Sequence, residues 1–437
     1  MFKKLWGGVK KLASLPQQFL RLPAWQREIV IVLAVAAALG AANYYWRLDR
    51  YLVGPDPWRD VWLGLVFLAA YLTMRFFWSL LRKLSQGGID YPDIRQAFAR
   101  GRQAADAADV DLANAPIFLV LGGEPQALEA LAASPLTGDK LKVESPDSPL
   151  QWRGDRNAVW LVLWGVSAVA AQTQRAQERG APAGARLSEE DRRGLRSRLQ
   201  FTIKQLQRMR NPLVPANGVQ LLVPYAWIAD PNWIEMLDAI QLDMETLQSE
   251  LGVKCILQIL FYDNREDSEF SAYIERTPEK DRQRRCGCTL PSFAKLSEED
   301  REKLHHWMEQ FFTKQVYAYY GVEPRAPQNP GMFRFVEEFR RADMGFQVAL
   351  GGVSTATEAE AFYPSGVYLT RLQTPNPAFL DGVMDSLLRS HDEMIGWNST
   401  AANRNRRFTI YSGIAAAAAL SLLGYNMFAL GRMLFVS

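Results

Sequence analysis

Apolar residues in this chain form runs of two lengths. Three long runs, Ile29–Trp46, Val61–Leu81 and Thr409–Gly431, approach the ~20 residues a helix needs to cross ~30 Å of hydrocarbon. They predict three transmembrane α-helices, two near the start and one near the end. Tyr44, Tyr45 and Trp46 close the first run where a signal peptide would need small residues at its cleavage site, and aromatics suit an interface instead. Arg75 sits in the last third of the second run, within snorkelling reach of its end. Short runs, Pro116–Leu121, Ala158–Leu163, Gly218–Val223 and Val253–Phe261, predict buried strands.

Between the strands lie helix candidates at Tyr91–Val110, Ser188–Met209 and Pro231–Leu251. Ser188-Glu-Glu-Asp191 reads as a capping box, and Ser297-Glu-Glu-Asp300 opens a further helix. That helix carries Leu304, Met308, Phe311, Phe312 and Tyr319 on or near one face, a stripe that predicts core packing. Strands alternating with helices predict an α/β body with a parallel sheet and crossover helices. Gln172–Arg186 reads as an exposed connector. Beyond Pro324–Pro330 the pattern predicts helices at Phe333–Asp343 and Ala378–His391, a Gly-rich turn near Gly351 and a short segment at Val367–Thr370.

Basic residues set the expected orientation. Lys3, Lys4, Lys10, Lys11, Arg21 and Arg27 precede the first run, Arg82 and Lys83 follow the second, and Arg404, Arg406 and Arg407 precede the third. The positive-inside rule places all three clusters in the cytosol. The expected organisation is a basic cytosolic N-terminus over 1–28, a transmembrane hairpin over 29–81, a cytosolic α/β domain over 82–323, a helical extension over 324–408, a third transmembrane helix over 409–431 and a short periplasmic tail over 432–437. Phe2, Leu5, Trp6, Val9 and Leu12 among the first lysines fit an interfacial helix or a disordered basic tail.

A mean hydropathy of -0.15 is too polar for a polytopic transporter. The net charge of +3 makes no case for nucleic acid. Cys255, Cys286 and Cys288 all fall in the cytosolic body, against a disulfide framework. Cys286 and Cys288 with His305 and His306 lack zinc-ligand spacing, so no metal is expected.

The first strand runs into Gly122-Gly-Glu-Pro-Gln-Ala127-Leu128-Glu129. A phosphate loop, G-x-x-x-x-G-K-[ST], cradles phosphates with backbone N–H groups, neutralises them with Lys and holds Mg²⁺ with Ser/Thr. Gly122 fits the first position, but Ala127 replaces the second Gly, Leu128 the Lys and Glu129 the Ser/Thr. Glu129 near a helix N-terminus favours the helix and opposes a triphosphate. Asp263 and Glu124 invite an active-site reading, but each reads as an exposed loop carboxylate.

Several segments together resemble the IcmF/TssM family, the inner-membrane component of type VI secretion and related systems. Phe118-Leu-Val-Leu-Gly122 resembles the family's strand into its phosphate loop, and Ala158-Val-Trp-Leu-Val-Leu-Trp-Gly165 its A-V-L-L-D-T-A-G strand. Asn217-Gly-Val219 is similar to its N-G-V-I-V segment. Ser268-Glu-Phe270 through Pro278-Glu-Lys-Asp281 to Gly287-Cys-Thr-Leu-Pro291 is similar to its F-x-E-F to G-x-T-x-P region, and Pro364-Ser-Gly-Val-Tyr-Leu-Thr370 to its R-G-V-Y-F-T signature.

The resemblance implies a P-loop NTPase-like fold with a degenerate nucleotide site. Where the family has a Mg²⁺-ligating Asp this chain has Val162, followed by Leu163-Trp164, and the base-reading T-K-x-D segment is replaced by Ile-Leu-Phe-Tyr-Asp-Asn with Asp263 as its remnant. It therefore implies no enzyme, no cofactor and a scaffold role in an inner-membrane complex. Implied partners are a DotU/TssL-like inner-membrane protein, baseplate components and other copies in an oligomer. In the family the third span leads into a large periplasmic region, whereas Ser437 closely follows Gly431 here, so a separate periplasmic polypeptide near Arg432–Ser437 is expected. The alternative reading is a membrane-anchored switch with weak GTP or ATP binding. A transporter is disfavoured because three spans without an internal repeat supply no midplane site.

Overall fold

A computed structural model describes residues 24–46, isolated positions between 63 and 74, and most of 90–397, with short gaps at 139, 144–147, 180–186, 211–212, 230–232, 266, 291–295, 356–361, 374–375 and 391–394. The chain divides into two units, Met1–Gly88 with Ser412–Ser437, and Ile89–Tyr411.

In the first unit, helix α1 spans Ala24–Trp46. Small residues let it pack closely: a Cβ built on Gly64 would lie 2.5 Å from the Ala36 carbonyl oxygen. The expectation of three transmembrane helices is corrected here. Among the described residues no helix is long and apolar enough to cross a membrane. The unbroken apolar run within α1 is Ile29–Ala42, bounded by Gln26-Arg-Glu28 and Asn43; runs of ~10–14 residues suit buried or interfacial helices better than spans. Asn43 is itself buried, with Ala36, on the packed side of α1. The second run, Val61–Leu81, is described only at isolated positions, and Thr409–Gly431, the tail and residues 1–23 lie outside the described residues.

The second unit is a mixed α/β sheet. Its strands are β1 (Ile117–Gly122), β2 (Leu141–Val143), β3 (Gln151–Gly154), β4 (Val159–Val162), β5 (Gly218–Pro224), β6 (Val253–Tyr262), β7 (Gly287–Thr289) and β8 (Phe362–Thr370), in the order β2-β3-β4-β1-β5-β6-β8-β7, with β9 (Gly396–Trp397) paired to β6. The central strands β4, β1, β5, β6 and β8 are parallel, and β2, β3 and β7 are antiparallel to their neighbours. All four short apolar runs fall on this parallel core, which is covered on both faces and so needs continuous apolar sequence. Along β1, Ile117, Leu119 and Leu121 face one hydrophobic cluster while Phe118 and Val120 face the other. Asn217 fixes the β1/β5 register: the Ile117 N–H donates to its Oδ1 at 3.0 Å, and its own N–H donates to the Ile117 carbonyl at 2.7 Å.

The larger cluster gathers α2 (Pro92–Ala107), α5 (Glu189–Arg210), α7 (Trp233–Leu251), α10 (Glu298–Val322), α11 (Asn329–Arg341) and α12 (Asp343–Thr355). The smaller one gathers α3 (Pro125–Ala133) and α13 (Asp381–Ser390). The remaining helices are α4 (Ala168–Arg179), α6 (Tyr225–Ala229), α8 (Glu269–Arg276) and α9 (Glu279–Arg282).

Ser297 opens α10 with a capping box to Asp300, and Leu304, Met308 and Phe312 are buried as their spacing predicts. Phe312 meets Phe335 and Phe339 of α11 with ring centroids 5.1 Å apart, edge to face. Such pairs each add about 0.5–1.5 kcal/mol beyond area burial.

Three local expectations change. Gln172–Arg179, read as part of an exposed connector, is helix, and its Gln172 and Thr173 are buried. Residues 324–408 do contain helices, but they also supply β8, which lies inside the same sheet between β6 and β7. The glycines near Gly351 belong to helix α12, not to a turn. They serve close packing: a Cβ on Gly345 would stand 2.1 Å from the Ile228 carbonyl oxygen, and one on Gly352 would stand 3.0 Å from Leu237 of α7.

Candidate functional site

Chain order reverses at β1, because the chain runs from β1 to β4 on one side and then to β5 on the other. In open α/β sheets, ligands bind beyond the carboxyl ends of strands at such a switch point. A cleft of about 390 Å³ lies there, between the segments that follow β1, β5 and β6 and the helix α4 that follows β4. Its polar lining includes Glu124, Gln126, Thr173, Asn264 and Arg265.

The loop after β1 is too short to be a phosphate cradle. Gly122 and Gly123 take left-handed φ of +75° and +81°, and a Cβ on Gly122 would lie 2.2 Å from the Leu222 carbonyl oxygen. That pins the turn to β5. Helix α3 then starts at Pro125, which fixes φ and has no N–H to offer. The Leu128 N–H already donates within the helix, to the Glu124 carbonyl at 3.0 Å. Ala127 and Leu128, which stand at the second-Gly and Lys positions, are buried in the smaller hydrophobic cluster with Phe118 and Leu131. A lysine at 128 would therefore point into the core. Glu129 is exposed and does not line the cleft.

Val162, which the resemblance set against a Mg²⁺-ligating Asp, is buried with Trp160 and Val120 on the same face. Just beyond it a carboxylate is already in place. Asp243 of α7 accepts from the Ser167 hydroxyl at 2.6 Å, the Ala168 N–H at 2.8 Å and the Val169 N–H at 3.1 Å. The Gly122 N–H in turn donates to Ser167 Oγ at 3.2 Å. The last N–H of β1 is thus taken by the Ser167 hydroxyl, and the N-terminus of α4 by the Asp243 carboxylate behind it. Burial pushes the Asp243 carboxyl up to about 6 against these hydrogen bonds. Sequence reasoning passed over Asp243. Its signal was a charged residue on the buried stripe of α7, in step with Met236, Ile240 and Leu247.

At the end of β6, Asp263 is 5% exposed, so it is not the exposed loop carboxylate its position suggested. Arg265 grips it with two parallel hydrogen bonds, Nε to Oδ1 at 3.0 Å and Nη2 to Oδ2 at 2.9 Å. The pairing raises the Arg265 guanidinium above its ordinary range. Asn264 ties two walls together, donating to Glu124 Oε1 at 2.9 Å and accepting the Leu372 N–H at 3.0 Å. Burial raises the half-buried Glu124 carboxyl, opposed by the Asn264 hydrogen bond and reinforced by the Asp263 charge. Among the described residues Arg265 is the sole cation lining the cleft, and it is engaged. Among those residues the lining holds no lysine for a phosphate, and its carboxylates Asp263 and Glu124 are already engaged by Arg265 and Asn264.

The family model described as the IcmF-related N-terminal domain matches residues 189–410. The chain belongs to the IcmF-related family. No curated protein and no solved structure matches it. The IcmF-related match begins at the start of α5 and takes in β5, β6, β8 and α13, so the Asp263–Arg265 wall of the cleft lies within it and the β1 loop lies before it.

Among the described residues of this IcmF-related chain, no group of three or more His, Cys, Asp or Glu side chains is placed to hold a metal ion. His305 stacks on Phe339 and bonds its carbonyl at 3.0 Å through Nε2, whereas His306 is exposed beside Gln310. Burial raises the thiols of Cys255, to about 12, and of Cys286, away from the thiolate a metal would require.

Proposed function

We propose that this IcmF-related chain is a non-catalytic scaffold of a bacterial type VI secretion system or related contractile apparatus. Its α/β body works on the cytoplasmic face of the inner membrane as a docking platform. The observation that carries the reading is the closed turn after β1: helix α3 begins at Pro125, and Asp243 holds the Ser167 hydroxyl that in turn accepts the Gly122 N–H. A body that keeps the switch-point sheet, with no phosphate lysine and no metal-ligand cluster among its described residues, retains surface and rigidity, which are what a platform needs. The partners proposed are a DotU/TssL-like inner-membrane protein, baseplate components and further copies of the chain.

The test is retention of partners. Affinity-tagged full-length chain, recovered from its native cells in mild detergent, is expected to bring secretion-system components with it. Recovery as a lone monomer would count against the scaffold role. The competing reading, a nucleotide-regulated switch, draws support from the cleft's location alone.

A further inference from the structure

A second groove, of about 730 Å³, lies away from the switch-point cleft, between the segment linking α9 to β7 and the outer face of α13. Three arginines line it: Arg284 and Arg285 on one wall and Arg389 on the other. They follow Arg282, whose guanidinium is committed to the carbonyls of Thr277 at 2.8 Å and Glu275 at 2.9 Å. Arg284 pairs with Asp281 at 3.1 Å and Arg389 with Asp385 at 2.9 Å, each with most of its side chain in solvent. Arg285 is different. Its Nη1 donates to Thr289 Oγ1 at 3.0 Å and Ser386 Oγ at 3.1 Å, two neutral oxygens that position the guanidinium and leave its charge uncompensated.

The walls are held together by backbone. A Cβ on Gly382 would come within 2.7 Å of the Arg285 nitrogen, so the first turn of α13 can lie against the Arg284–Arg285 backbone only because residue 382 is glycine. Val383, Met384 and Leu387 anchor the other side of α13 in the smaller core cluster, which fixes Ser386 and Arg389 outward. The result is a basic, hydroxyl-lined trough on a rigid helix and sheet edge.

We propose that this trough docks an acidic peptide segment of a protein partner, with Arg285 as its central anchor. Charge complementarity favours an anion, and guanidinium forks pair carboxylates bidentately. Size favours a peptide: the trough holds the volume of several side chains, far more than a single phosphate fills. Asp385 lies in the wall beside Arg389 and sets the spacing of the acidic side chains by repelling those placed opposite it.

This inference rests on the docking role proposed above, and the two fail separately. The probe is fluorescein-labelled hexaglutamate, followed by anisotropy on the full-length chain. Saturable binding is expected at about 50 mM salt, weakening steeply by about 300 mM. Arg285→Glu with Arg389→Glu should weaken it by about tenfold or more. Arg284→Gln with Arg389→Gln, at positions that stand in solvent and cannot unsettle the fold, should also weaken it. Arg340→Gln, on α11 and paired with Glu309, should leave it unchanged. Absence of saturable binding, binding by both groove variants as tight as that of the unsubstituted chain, or full displacement by an equal concentration of inorganic phosphate would each overturn the proposal. Lost peptide binding with secretion partners still retained defeats the groove alone; a lone monomer that still binds hexaglutamate defeats the docking role alone.

Discussion

Replacing Asp243 with Asn tests how the closed switch point is held. The carboxylate is buried and accepts three donors around the start of α4. Two effects oppose each other there. Charge-assisted hydrogen bonds at a helix N-terminus favour the ionised form, while desolvation favours the neutral one. Desolvation wins, placing the carboxyl at about 6 against an ordinary 3.8, a difference on the order of 3 kcal/mol. The sign follows from linkage. A carboxyl raised in the folded state binds its proton more tightly there, so its stabilisation is fully present below the unfolded value and is lost as pH rises through 6. Asn does not titrate. Between about pH 4.5 and about pH 7.5 the stability of the wild type relative to Asp243→Asn should therefore fall by on the order of 2 kcal/mol. Urea unfolding of both full-length proteins across that range, followed by tryptophan fluorescence, measures it; Trp152, Trp160 and Trp227 are buried in the sheet unit and report its loss. A pH-independent difference would refute the balance described, and a difference of opposite slope would show that the three donors win.

Gly122→Ala should destabilise the sheet unit by about 2–5 kcal/mol, combining a left-handed φ with overpacking against Leu222 and Val169, read as a lowered melting temperature. Leu128→Lys, which restores the phosphate lysine in sequence, should cost about 3 kcal/mol or more by burying an ammonium in the smaller core cluster; calorimetry should find no nucleotide binding gained. Phe335→Ala should cost about 3–5 kcal/mol, because it opens the aromatic contact among α8, α10 and α11.

Much of the sheet was legible in sequence because a parallel strand buried on both faces must be apolar throughout, as Ile117–Leu121 is. Strands β2 and β3 were not, since they are short and carry Lys142 and Arg153. Strand β8 was read only at its end, because Pro364 and Gly366 interrupt it; the register against β6 shifts between Leu257 and Gln258 to accommodate them. At the site, Gly122 was legible in the sequence as the end of the first strand, and residues 127–129 as a departure from the phosphate-loop pattern. The sequence did not reveal that Pro125 starts the helix early, although proline at the first helical position is the readable signal. Nor did it reveal the Asp243–Ser167 closure, which joins residues far apart in the chain. The first long apolar run misled for a different reason: its near-span length hides an uninterrupted apolar stretch that stops at Ala42.

The scaffold proposal requires that the switch-point cleft take no nucleotide. Isothermal titration of GTP, GDP and ATP with Mg²⁺ into the full-length chain measures this directly. No saturable heat up to millimolar nucleotide is the expected result. Saturable binding that is strengthened by Glu124→Gln, a change that removes the carboxylate facing any phosphate, would contradict it.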